Sequence, residues 1–167
     1  MGDSIEVQEQ GTPLRFTVDE MLRYSGPHSP GGVALGFKLM ERAFALLEPQ
    51  GRVERREVLV RTAFGGPGVR DAFELVTRAL TDGRYVVDPA LGRPERGDAL
   101  RTFAFTVGYR DRTVSLLLRE GFVTEEFGRL AQSPELTAEE KERFTAMKQA
   151  LADQLMAADP DDVFDLL

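Results

Sequence analysis

The stretch SPGGVALGFKLMERAFALLEPQG, residues 29–51, decides the fold. Ser29 can cap a helix, and Pro30 suits the first helical position, where no backbone donor is missed. Val33, Phe37, Met40, Phe44 and Leu47 recur at helical spacing, and Pro49 with Gly51 ends the run. A long, mostly apolar helix of this kind needs a sheet or other helices to cover it.

The flanking segments supply both. Upstream, Thr17 and Glu20 have the capping-box spacing, with Phe16 and Met21 placed as a hydrophobic staple, which predicts a short helix over about 17–24. Downstream, REVLVRTA (56–63) sets Val58 and Val60 against Glu57, Leu59 and Arg61, the alternation of a half-buried strand. The turn FGGPGVR (64–70) leads into a second helix carrying Val69, Ala72, Phe73, Val76 and Leu80 on one side, with Gly83 at its end. RYVVD (84–88) reads as a short strand, and 88–100 as a polar loop bearing proline and glycine. RTFAFTV (101–107) and TVSLLLR (113–119), joined through GYRDR (108–112), read as an antiparallel hairpin. VTEEFGRLAQ (123–132) gives a short helix and 136–158 a long one, with Thr137 and Glu140 as its capping box and Phe144, Met147, Leu151 and Leu155 as its apolar stripe.

The order helix, strand, helix, three strands, then helices predicts the α+β class and one domain over 15–158. Residues 1–14 are expected to be a flexible segment, and DPDDVFDLL (159–167) an acidic-hydrophobic tail that frays or docks on its own domain. The 42% apolar content suffices for an ordinary core.

Charge and composition exclude several function classes. The net charge is −7, so nucleic-acid phosphates and anionic membranes are not expected as partners. No run approaches the roughly 20 apolar residues of a membrane span, and the amino terminus lacks a secretory pattern, so a cytoplasmic location is expected. With no cysteine, disulfides, thiolate metal sites and cysteine nucleophiles are ruled out. No Gly-x-Ser-x-Gly nucleophile elbow occurs. GGPG (65–68) lacks the Gly-Lys-Ser/Thr end of a phosphate loop, and tight-turn geometry alone accounts for its glycines. Acid pairs such as Glu125 with Glu126 fall at helix starts, where they favour the helix dipole. Arg55 with Arg56 can clamp a carboxylate ligand, or simply charge a strand edge.

Several of these segments resemble the FmdE-like domain family, named for a component of formylmethanofuran dehydrogenase. YSGPHSPGGVALGFK (24–38) is similar to that family's His-x-Cys-Pro-Gly motif followed by a helix with Ala-Leu-Gly-aromatic-basic. Alignment on Ala34 to Lys38 puts His28 on the family histidine, whereas alignment on Ser29-Pro30-Gly31 puts Ser29 on the family cysteine. GVRDAFELVTRALTDGRYVV (68–87) resembles the family's Val-Asp-Ala helix, glycine turn and strand, with Ala79 where a second cysteine would stand. RTFAFTVGYRDRTVSLLLREGFVTEEF (101–127) is similar to its paired strands. The resemblance covers about residues 15–130 and implies a mixed four-stranded sheet covered by helices, a homodimer, and a divalent metal site at the His-x-Cys motif.

The residues present do not complete such a site. Zinc or nickel takes three or four ligands, mostly imidazole and thiolate, and this chain offers the one imidazole of His28. No metal or cofactor is therefore assigned. The reading is a non-catalytic or accessory domain with a small-ligand site near His28, Ser29, Gly65, Gly66, Gly68 and Arg70. The alternatives are a zinc- or nickel-binding enzyme that uses His28 with carboxylates such as Asp71 or Glu74, and a scaffold that holds a protein partner through its last helix and tail.

Overall fold

The computed structural model describes residues 4–167 as an α+β fold with six helices, a two-stranded sheet and a five-stranded mixed sheet. Its elements are β1 (Ser4–Glu9), β2 (Thr12–Thr17), α1 (Val18–Ser25), α2 (Pro30–Leu47), β3 (Val58–Thr62), α3 (Pro67–Thr77), β4 (Tyr85–Val87), β5 (Ala104–Tyr109), β6 (Arg112–Leu118), α4 (Glu125–Gln132), α5 (Ala138–Ala157), α6 (Pro160–Val163) and β7 (Phe164–Leu166). The main sheet runs β4-β3-β5-β6-β7, with β3 and β4 parallel across α3 and every other pair antiparallel.

The periodicity of 2 in β3 appears as strict alternation: Val58, Val60 and Thr62 are buried, Leu59 and Arg61 exposed. Register then sets Val60 beside Val107 and Tyr85, and Phe105 beside Leu116, so one face of the sheet is apolar and buried. Arg61, Thr106 and Ser115 make a polar row on the other face, where Thr106 and Ser115 hydroxyls lie 3.0 Å apart.

Helix α2 is central to the layer that covers the buried face. Its first residues are small, and both neighbouring helices approach its backbone there. A Cβ on Gly31 would meet Leu151 of α5 at 3.0 Å, and one on Gly36 would meet Ala72 of α3 at 2.8 Å. Helix ends are held by long cations from elsewhere in the chain. Arg112 donates to the Leu47 carbonyl at the end of α2, and Arg55 donates to the Leu75 and Val76 carbonyls at the end of α3. Arg55 also pairs with Glu9 at 3.1 Å and lies over the Phe16 ring, so it is a structural tie and not a ligand clamp.

Three expectations need correction. Residues 1–3 lie outside the described residues, but 4–17, which include most of the segment expected to be flexible, form the β1–β2 hairpin. Its turn is Gln10-Gly11, both with positive φ (50° and 85°), which matches the twist of a two-residue hairpin. Ile5 and Val7 fill its inner side, and the Gln8 amide donates to the Val53 carbonyl. The sheet has five strands where four were implied, because β7 pairs with β6 through Leu116–Leu166 and Leu118–Phe164. Burial of Val163 and Phe164 drives that docking of the tail. Finally, α3 ends at Thr77: Arg78 takes the left-handed conformation (φ 58°), and Leu80 is 43% exposed instead of continuing the apolar side.

Tyr85 yields a stability prediction. Its hydroxyl is buried without a hydrogen-bond partner among the described residues, and burial pushes its pKa upward. Its ring, tilted against Phe73 at 6.0 Å, is what the core uses. Tyr85→Phe is expected to stabilise the fold by up to about 1 kcal/mol, because it removes an unsatisfied buried hydroxyl and keeps the ring. Urea unfolding checks this; a loss of stability would mean that the hydroxyl is hydrogen-bonded.

Candidate ligand-binding cleft

The chain turns sharply just before α2 and again just before α3, and the two turns lie together at one end of the helical layer. Ser29 occupies the cap position of α2, yet its side chain makes no capping bond; the first helical bond runs from the Val33 amide to the Ser29 carbonyl. Gly66 caps α3, also with no side chain to close the end. The His28 imidazole is exposed, with no hydrogen bond to the described residues, and its carbonyl accepts from Lys148 Nζ at 2.8 Å. That bond pins α5 against the turn.

These residues border a cleft of about 390 Å³. The wall groups come from five separate segments. His28 and Ser29 precede α2, Phe64 to Pro67 join β3 to α3, Asp98 to Phe103 belong to the loop before β5, Phe127 and Gln132 lie on α4, and Phe144 and Lys148 on α5. Phe64 stacks on Phe103 with centroids 4.5 Å apart, and Phe127 meets Phe144 edge to face at 5.2 Å. The Phe64 ring folds back over Gly66, where any Cβ would collide with its Cζ. Gly66 thus serves the aromatic wall and not the turn, since its φ of −65° is open to any residue. The Lys148 ammonium lies 4.7 Å from the Phe144 centroid.

Of the six residues expected at a ligand site, His28, Ser29, Gly65 and Gly66 border the cleft. Gly68 and Arg70 do not. Gly68 is buried where α3 crosses α2, and a Cβ there would fall 2.6 Å from the Val33 nitrogen and 2.7 Å from the Gly32 Cα. Arg70 turns along its own helix to Asp71 at 3.2 Å. Phe103, Phe127, Phe144 and Lys148 have no local signal in sequence; Phe144 reads there as part of an apolar stripe.

The carboxylates named as partners for a metal at His28 are engaged elsewhere. Asp71 accepts from the Ser25 hydroxyl at 2.9 Å and from Arg70. Glu74 accepts from the Thr81 amide and hydroxyl and lies 3.6 Å from Arg78. Burial pushes the Glu74 carboxyl up, but those Thr81 bonds, the Leu80 amide and Arg78 outweigh it and hold the pKa below the ordinary glutamate value. Among the described residues, Asp98 is the only carboxylate that lines the cleft, and no cluster of three or more His, Cys, Asp or Glu has the arrangement of a metal site.

A second, shallower groove of about 510 Å³ runs between the β1–β2 hairpin and the end of α3, lined by Phe16, Tyr24, Arg55, Glu74 and Arg78. Its Arg55 is taken up by the Leu75 and Val76 carbonyls and by Glu9, and its Glu74 by Thr81 and Arg78, so it offers a ligand little uncommitted polarity. No helix among the described residues is long and apolar enough to cross a membrane. No protein-family model matches the chain, and no curated protein matches it either.

Proposed function

We propose that the chain is a non-catalytic or accessory domain of the FmdE-like kind, and that it holds a small ligand in the cleft beside His28. One observation carries the reading: turns distant in sequence bring His28, Ser29, Gly65 and Gly66 to the rim of a single cleft walled by phenylalanines. Pockets of a few hundred Å³ with apolar walls and a few convergent polar groups are the usual form of small-molecule sites. His28 has no thiolate in the chain and no cluster of carboxylates among the described residues to work with, which supports the non-catalytic reading. The same resemblance implies a homodimer, which belongs to this proposal.

A fragment screen of the full chain by amide chemical shifts tests the reading. Hits are expected to move Phe64, Gly65, Phe103 and Phe127 together, and His28→Ala is expected to weaken them by about threefold to tenfold, as for one lost polar contact. Hits confined to other surfaces would overturn it. So would purified protein that carries stoichiometric zinc or nickel and loses it on His28→Ala.

A further inference from the structure

We propose that the ligand of this cleft is a flat aromatic monoanion, one or two fused rings that bear a carboxylate. The assignment rests on the reading of the cleft as a small-molecule site and adds the chemical class of its occupant. The walls set the ring. Phe64 with Phe103, and Phe127 with Phe144, bring two aromatic pairs to a cleft of about 390 Å³, a volume suited to one compact ring system. Aromatic faces and edges favour a flat π-system over an aliphatic chain of equal area.

Charge complementarity sets the acid. Among the described residues, Lys148 is the only lysine or arginine lining the cleft, and it pairs with no carboxylate there. One of its protons goes to the His28 carbonyl, which leaves the others free for an incoming carboxylate beside the Phe144 ring. The Gly65 and Gly66 amides, on the same rim, donate to no protein group among the described residues. Such polar groups, set beside the phenylalanine walls, fix the orientation of a bound molecule. Asp98, on the same cleft, opposes additional negative charge, so a ligand with one charge fits and a polyphosphate does not.

The test titrates the full chain with naphthoate, its uncharged amide naphthamide, and inorganic phosphate, using calorimetry and amide chemical shifts. Lys148→Met and Lys148→Arg are titrated alongside. Naphthoate is expected to bind at least about tenfold more tightly than naphthamide, the size of one good charge-assisted bond. Lys148→Met should bring the ratio of naphthoate to naphthamide affinity close to one, a ratio in which any loosening of the pin to His28 weighs on both compounds alike, whereas Lys148→Arg should keep most of the preference. Equal affinity for naphthoate and naphthamide would overturn the acid assignment and leave the cleft as a ligand site. Phosphate binding as tightly as naphthoate would overturn the aromatic assignment. If neither ring compound moves the cleft amides, the inference falls, and a fragment screen that still finds hits there would keep the broader reading apart from it.

Discussion

Gly68→Ala is expected to cost the fold about 3 kcal/mol, the upper part of the usual range for overpacking a tight interior. The reason is what surrounds the missing side chain. A Cβ at Gly68 would lie 2.6 Å from the Val33 nitrogen and 2.7 Å from both the carbonyl carbon and the Cα of Gly32. All three atoms are backbone of α2, so no rotamer change relieves the clash, and either α3 must slide or α2 must unwind its first turn. Both helices cover the buried face of the sheet, and Val33 and Val69 beside the contact are wholly buried. Gly65→Ala, in the same loop, is the control. Its Cβ would reach no atom nearer than Val87 Cγ1 at 4.0 Å, so its effect should stay within about 0.5 kcal/mol. Urea unfolding of the two variants separates a glycine that packs helices from one that lines a cleft. Similar losses for both, or a loss under about 1 kcal/mol for Gly68→Ala, would show that the α2–α3 crossing is looser than these distances imply.

That contrast also marks how far sequence reaches in this protein. Punctuation and periodicity are local, and they read well. The Thr17–Glu20 and Thr137–Glu140 boxes form with reciprocal bonds, α2 starts at Pro30, and the hairpin of β5 and β6 keeps its expected partners. The β1–β2 hairpin was legible in principle, since Ile5, Val7, Leu14 and Phe16 alternate around Gly11. Glu6, Gln8, Glu9 and Gln10 outweigh that pattern in composition, and the turn lacks the Asn-Gly or Asp-Gly signature. β7 has three residues, too few for any period to show, and exists because Val163 and Phe164 find a place beside β6.

For the cleft, the same division holds. His28, Ser29, Gly65 and Gly66 stand out because proline and glycine mark the turns that carry them. Phe103, Phe127, Phe144 and Lys148 come from segments that only tertiary packing brings to those turns. Gly68 lies outside the cleft for a related reason. A glycine required by a turn and a glycine required by a helix crossing are identical in sequence, and only the contact distance tells them apart.

Lys38→Met is expected to cost about 2–3 kcal/mol, close to the value of a hydrogen bond from a charged donor. Lys38 stands in α2, 5% exposed, and its ammonium donates to the Ala158 carbonyl at 2.7 Å while lying 3.3 Å from Glu41. Ala158 is the capping residue at the end of α5, and Pro160 two residues later opens α6 and cannot continue the α5 ladder. A cation there serves both the unpaired carbonyl and the negative end of the α5 dipole. Met keeps the length and volume of the stem, so the loss isolates the charged bond from the packing. The neighbouring Arg42–Asp161 pair also joins α2 to α6, but Asp161 is largely exposed, and Arg42→Ala should cost no more than about 1 kcal/mol. The consequences are expected to be local first. Lys38 fixes the point from which α6 and β7 depart, and β7 is held to the sheet by a short pairing that includes the bonds from Arg119 to Val163 and from Leu167 to Ser115. In Lys38→Met, amide hydrogen exchange over residues 158–167 should accelerate before that of β3 and β5, which pair with each other and share no ladder with β7. A uniform acceleration across all strands would mean that Lys38 supports the core as a whole, and that the tail owes its place in the sheet to Phe164 and Val163 alone.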